Sequence, residues 1–329
     1  MTEIDAIVSP DLRRKASEWT SPKGLHRESV PMRLWEKAKK GFWDPADLDF
    51  RQDRADWEAM DLETRISVFR LARGFMVGEE GVTLDILPLM MGLSDQGRLE
   101  EVMYLSTFAM EEAKHVDFFR LWFDETGVDD AEMNEILVER ARARGVEIDM
   151  ERDEGMFESE LPKAMRAAAS GDDALILNAS VTYNQFVEGC LALSGYTQWS
   201  EIFGAFGVLP GLQEGLRLIR KDEGRHITYG TYLCQRILAS RPELLDQATS
   251  RLAELRDMYF SVEVPAEELD ETSPSDQVIL DFRNKVAEQV SRRTKVLEKA
   301  AGMSPEEVVT SESAEQAEFE LALAATGGG

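Results

Sequence analysis

With 329 residues, 43% apolar and 30% charged, the chain has an ordinary globular balance and the length for one large helical domain with a tail or for two average domains. Its 37 lysines and arginines against 63 acids leave a formal charge of −26, which repels a phosphate backbone and argues against nucleic acid as a partner. No apolar run approaches the length of a membrane span, and the N-terminus lacks a basic stretch leading into an apolar one, so a cytoplasmic location is expected.

Residues 1–30 are polar and carry Pro10, Pro22 and Gly24, which reads as a flexible N-terminal arm. A helical domain is expected over 31–302. The stretch FWDPADLDF at 42–50 places Pro45 ahead of acids, a turn leading into the first long helix. That helix is predicted over 62–93, where Ile66, Phe69, Leu71, Phe75, Val82 and Ile86 recur at spacings of three and four. A second long helix is predicted over 97–126, a third over 172–200 and a fourth over 210–239, with further helices at 129–144, 156–169, 242–263 and 276–300. Nothing alternates with period two, so the fold class is all-α. Four helices of roughly 28–32 residues are each about 42–48 Å long, and such lengths pack naturally as a bundle. Cys190 and Cys234 form no CxxC and sit in apolar helical patterns, as packing residues of a reducing compartment do. Residues 303–329 are acidic and rich in Ala and Gly; they read as a largely disordered tail with room for one short helix.

Chemistry concentrates in two short motifs. Of the three histidines, His115 and His226 each follow a glutamate by three residues, in EEAKH at 111–115 and DEGRH at 222–226. On an α-helix residues three apart share a face, so the Glu112 and His115 side chains can grip one ion together, as can Glu223 and His226. One ExxH alone is ordinarily a solvated pair. Two of them, each with a glutamate 33 or 35 residues upstream inside an apolar helical run, Glu79 and Glu188, are a repeat of Glu followed by ExxH. A carboxylate facing a core must be paired, protonated or metal-bound, and four converging carboxylates are neutralised by two divalent ions. Oxygen-rich ligation with one imidazole per ion suits iron or manganese better than zinc. This is the donor set of carboxylate-bridged dimetal bundles, in which Glu112 and Glu223 would bridge. Glu111 and Asp222, four residues before the histidines, are expected to accept hydrogen bonds from imidazoles; Glu80 is expected to face solvent.

These residues resemble the ribonucleotide reductase small-subunit superfamily over roughly 40–240. Within it, GEEGVTLD, EVMYLSTFAMEEAKH, SVTYNQFVEG and DEGRH are similar to the branch of ligand-binding oxidases. The resemblance implies a ferritin-like four-helix bundle core with additional helices, acting as an oxidase that activates dioxygen. It implies manganese at the site of Glu79, Glu112 and His115, and iron at that of Glu188, Glu223 and His226. Trp43 matches the electron-relay tryptophan and Asp222 the relay aspartate. A bound long-chain fatty acid, a homodimer and an ether cross-link between Val82 and Tyr183 are implied as well. Tyr183 lies five residues before Glu188, about 140° away on an ideal α-helix, so a local π-bulge is predicted between them. Gly81 is expected to make room beside the metals. Phe119 stands where the superfamily's radical tyrosine would be, and the last tyrosine is Tyr259; both point away from a radical-storing reductase subunit. A tyrosine-less reductase subunit is the competing reading.

Overall fold

The computed structural model describes residues 25–143, 155–203, 207–261, 269, 274–310 and 312–318. Among these every regular element is helical. In chain order the α-helices are α1 (Val30–Lys40), α2 (Arg51–Ala59), α3 (Leu62–Asp95), α4 (Leu99–Thr126), α5 (Asp130–Ala143), α6 (Leu161–Ala168), α7 (Asp173–Ser180), α8 (Leu193–Phe203), α9 (Pro210–Ser240), α10 (Leu245–Ser261), α11 (Pro274–Ala300) and α12 (Pro305–Thr310). A π-helical stretch, Val181–Ala192, joins α7 to α8 without a break.

Local chemistry sets the ends of the long helices. The Asp61 carboxylate caps α3 by accepting from the Thr64 amide at 2.9 Å, and α3 runs through Pro88 to Asp95. Gly127, at φ +76°, closes α4 in the left-handed conformation that glycine adopts without strain. Asp172 caps α7 through the amides of Ala174 and Leu175. The start of α9 is held from another element, because buried Asp53 of α2 accepts from the Gly211 and Leu212 amides at 2.8 Å each and from Trp122 Nε1 at 2.9 Å. That cap fixes the axial position of the helix carrying Glu223 and His226.

The bundle core is α3, α4, the α7–π–α8 rod and α9, with α1, α10 and α11 packed around it. Its apolar filling falls into two clusters. One holds Val82, Phe108, Tyr183, Phe186 and Val187; the other holds Met76, Phe118, Phe119 and Tyr196. The acidic residues singled out above lie between them.

Two sequence expectations change at the chain ends. Residues 303–310 and 312–318 are not a solvated tail: Val308, Ala314 and Ala317 are buried, and Glu315 pairs with Arg33 and Lys37 of α1. Glu318 pairs with the fully buried Arg293 of α11 at 2.5 Å. The acidic composition obscured this because the acids that suggested solvation are the groups that meet basic partners. Residues 319–329 and 1–24 lie outside the described residues. The end of the expected arm is packed, with Ser29 buried and the His26 amide donating to Glu100 Oε1 at 3.1 Å.

Candidate metal centre

Glu79 comes from α3, Glu112 and His115 from α4, Glu188 from the π stretch, and Glu223 and His226 from α9. All six are buried, and both histidines are fully so. Their donor atoms form two overlapping groups, Glu79, Glu112, His115 and Glu223, and Glu112, Glu188, Glu223 and His226, each with all atoms within 4.8 Å of one another. Glu112 and Glu223 belong to both, the arrangement expected of bridging carboxylates.

The imidazoles are oriented alike. His115 turns Nδ1 toward Glu79 Oε2 (3.2 Å), Glu223 Oε1 (3.5 Å) and Glu112 Oε2 (3.8 Å), and Nε2 toward Asp222 Oδ2 (3.2 Å). His226 turns Nδ1 toward Glu112 Oε1 (2.8 Å), Glu188 Oε1 (3.7 Å) and Glu223 Oε2 (3.7 Å), and Nε2 toward Glu111 Oε2 (2.9 Å). The outer nitrogen of each ring is therefore held by the acid of the other motif, a crossed arrangement that motif spacing alone does not reveal. Each Nε2 thus has a carboxylate acceptor and each Nδ1 faces the carboxylates of the centre. Burial opposes the charged form of both rings, but Glu79 beside His115 and Glu112 beside His226 push the imidazoles well above their ordinary value, so a metal at Nδ1 would displace a proton there.

Electrostatics point the same way. Burial, the largest influence, pushes the Glu79, Glu188 and Glu223 carboxyls above their ordinary value, and neighbouring carboxylates add to it. Burial also opposes the ionised form of Glu112, but His226 and His115 beside it hold this carboxyl well below the usual range. Glu188 Oε1 and His226 Nδ1 lack any hydrogen-bond partner among the described residues, although Glu112 Oε1 is only 2.8 Å from that nitrogen. These atoms converge on a common point, where a cation would take the place of the proton that Glu112 and His226 Nδ1 otherwise share. Divalent cations fit that point and remove the repulsion of four buried carboxylates.

A belt of hydrogen bonds surrounds the six. Tyr183 donates to Glu112 Oε1 at 3.1 Å, Tyr196 to Glu79 Oε1 at 3.2 Å, and Asn184 Nδ2 to Glu188 Oε2 at 2.9 Å. Trp43 Nε1 donates to Asp222 Oδ2 at 2.8 Å, and its ring stacks on His115 with centroids 6.3 Å apart. The Lys114 ammonium donates to Asp222 Oδ2 at 2.7 Å and lies 4.4 Å above the Trp43 ring. Arg225 ties Glu111 to Asp222 at 2.5 Å each. Burial raises Asp222, yet His115 and Lys114 outweigh it and hold this carboxyl far below the usual range.

The π stretch replaces the expected single bulge with twelve residues. It brings positions five apart onto one face, so Tyr183 and Glu188 both reach the centre. Val82, buried, lines the same cavity as Tyr183. Gly81 differs from expectation: a Cβ there would face Phe157 Cδ1 at an ordinary 3.8 Å, with no metal donor among its contacts. Phe119 is fully buried and stacks on Phe75 with centroids 6.1 Å apart. Glu80 is exposed. Both cysteines are free and buried, and burial pushes each thiol up to about 12.

Sequence reading missed Lys114, Arg225, Asn184 and Tyr196. A signal existed for the first two, since both motifs run acid, glutamate, small residue, base, histidine, with the base at the same place in each. Asn184 stands one helical turn before Glu188, but Tyr196 had no local mark.

A cavity of about 640 Å³ opens from Glu79, Glu112, Glu188 and Glu223, passes Val82 and Tyr183, and reaches a rim that includes Arg70. Among the described residues no helix is long and apolar enough to cross a membrane.

Comparisons with known proteins agree with this geometry. Residues 29–264 match the family described as ribonucleotide reductase, small chain. The R2-like ligand-binding oxidase from Sulfolobus acidocaldarius is 32% identical, with a TM-score of 0.73, over 90% of this chain and 98% of that one. A variant R2-like ligand-binding oxidase with an anaerobically reconstituted Mn/Fe cofactor is 34% identical, with a TM-score of 0.72, over 83% of this chain and 96% of that one.

Proposed function

This chain belongs to the ribonucleotide reductase small-chain family, and on that premise we infer that it is a dinuclear manganese and iron oxidase of the ligand-binding kind, a metal-dependent oxidoreductase acting with dioxygen. The observation that carries the reading is the pair of inward Nδ1 atoms over carboxylates common to two donor groups. Glu79, Glu112 and His115 would hold manganese; Glu188, Glu223 and His226 would hold iron. When bound, the metal pair supplies electrons to dioxygen and the oxidising power for a C–H bond.

The residues themselves do the positioning. Asp222 and Glu111 keep the proton on the outer nitrogen of each imidazole, so both rings remain donors. The Tyr183 hydroxyl, donating to Glu112, is aimed at the carboxylate that would bridge. Joining Val82 Cβ to the Tyr183 oxygen forms one C–O bond and releases two protons and two electrons, for which dioxygen is the acceptor. The apolar cavity is within the roughly 300–1,000 Å³ of ligand sites, and a long-chain fatty acid or similar lipid fits its apolar walls with the polar end at the metals. A homodimer through the exposed stripe Leu84, Leu87 and Met91 of α3 and a cytoplasmic location complete the reading.

Tryptic mapping before and after exposure of metal-loaded protein to oxygen tests it. A peptide joining Val82 to Tyr183, lighter by two hydrogens, with one manganese and one iron per chain, is the expected result. An unmodified pair in fully loaded, oxidised protein sinks the cross-link; restored ribonucleotide reduction with a large subunit sinks the oxidase in favour of a tyrosine-less reductase subunit.

A further inference from the structure

A line of aromatic rings leaves the metal centre by the His226 side, opposite to Trp43. Phe108 stacks on the His226 imidazole with centroids 3.6 Å apart and planes 14° apart. Tyr104 packs edge-on to Phe108 at 6.1 Å, Tyr229 lies 5.0 Å from Tyr104, and Tyr232 lies 6.2 Å from Tyr229. Every ring in the line is 3% exposed or less. Beyond Tyr232 the surroundings turn charged, with Arg98 and Glu100 among its neighbours and the Arg98 side chain 43% exposed. The line thus runs from the buried centre toward the surface.

The tyrosines are not equivalent. The Tyr104 hydroxyl is buried without a hydrogen-bond partner among the described residues. Tyr229 donates to Glu101 Oε2 at 3.1 Å, and Arg236 meets the other oxygen of that buried carboxylate at 3.1 Å. A buried phenol gives up an electron readily only when its proton can leave at the same moment, and only Tyr229 in this line has a carboxylate placed to take it.

We propose that Phe108, Tyr104 and the Tyr229–Glu101 pair form a one-electron route that drains oxidising power from the metal centre to Tyr229 when no substrate consumes it. The step balances within the chain. Tyr229 loses one electron to the oxidised centre, which is reduced by one equivalent, and its phenolic proton moves to Glu101, leaving a neutral phenoxyl radical beside a neutral carboxylic acid. An external one-electron reductant acting at the Tyr232 end restores the phenol, and the proton returns from Glu101. The route explains why an uncharged aromatic path is paired at its far end with a buried carboxylate and arginine, a combination that packing alone does not require. Its oxidant is the dioxygen-treated centre of the proposed function, so the route rests on that reading.

The experiment loads the full chain with manganese(II) and iron(II) without oxygen, mixes it with dioxygen in the absence of lipid, and follows both the visible absorption of the oxidised centre and the electron paramagnetic resonance of freeze-quenched samples. A tyrosyl signal that narrows on ring deuteration of tyrosine is expected, and Tyr229→Phe abolishes it. Glu101→Gln, which removes the proton acceptor, slows its appearance by about 100-fold or more, the worth of a positioned base. Tyr104→Phe removes only an unpartnered hydroxyl and keeps the parent melting temperature, metal content and radical yield, whereas Tyr104→Leu, which removes the ring, cuts the yield by about tenfold at unchanged metal content, equivalent to one decade in rate. A full-strength radical in Tyr229→Phe, or an oxidised centre that forms with no tyrosyl signal in the parent, overturns the route while leaving the oxidase reading intact. Failure of the visible absorption to form with both metals loaded overturns the oxidase reading, and the route falls with it.

Discussion

Replacing Gly230 by alanine tests how closely α9 and the π stretch are built against each other. A Cβ at this position would lie 2.0 Å from Asn184 Cβ and 2.5 Å from its Cγ, so Asn184 must move. Asn184 donates to Glu188 Oε2 at 2.9 Å and accepts from Ser180 Oγ at 3.0 Å, and both bonds are buried. Overpacking costs about 1–3 kcal/mol, and losing a buried bond to an ionisable group costs about 1.5–3 kcal/mol. Alanine returns about 1 kcal/mol of helix propensity. A net loss of about 1.5–5 kcal/mol follows from these opposing terms. Gly224→Ala, in the same helix, meets nothing within 4 Å and keeps only the propensity gain, so it stabilises by about 1 kcal/mol. Urea denaturation of the metal-free proteins reads both, as midpoint shifts of opposite sign at unchanged slope. If Gly230→Ala leaves the midpoint in place, or if both glycines shift it in the same direction, the close approach of α9 to Asn184 is wrong.

Lys114→Met leaves Asp222 without its ammonium in a buried site and is expected to cost about 3–5 kcal/mol, read by thermal melting; an unchanged melting temperature would show that Arg225 alone balances the charge. Burial, outweighing three donors, raises the Asp53 carboxyl above its ordinary value. The stability it contributes is complete below the ordinary aspartate range and is lost as pH rises through the raised value, so Asp53→Asn should flatten that part of the stability-against-pH curve; parallel curves would exclude the assignment. Removing metal with a chelator should lower the melting temperature, since ligand at about 100 times its dissociation constant contributes about 2.7 kcal/mol. Glu188→Ala should erase most of that difference, whereas an equal chelator effect in the variant would remove Glu188 from the ligand set.

Local pattern was enough to give the all-α class, the four long helices and the six residues that meet at the candidate centre. Each depends on local regularity: apolar spacing of three and four, and a carboxylate and imidazole three residues apart on one helix face. The offset of Tyr183 from Glu188 even indicated a widened helix, although not that it would extend from Val181 to Ala192. Tertiary structure decided what local spacing cannot encode. Only packing crosses the motifs, so that Asp222 serves His115 and Glu111 serves His226, because the partner of each imidazole lies on a neighbouring helix. Only packing places Gly81 against Phe157, sets Lys114 over Trp43, and draws Glu315 and Glu318 of an apparently solvated tail onto α1 and α11. In each case the partner is distant in sequence and the interaction is a charge or contact whose energy depends on burial, a quantity that exists only once the helices have come together.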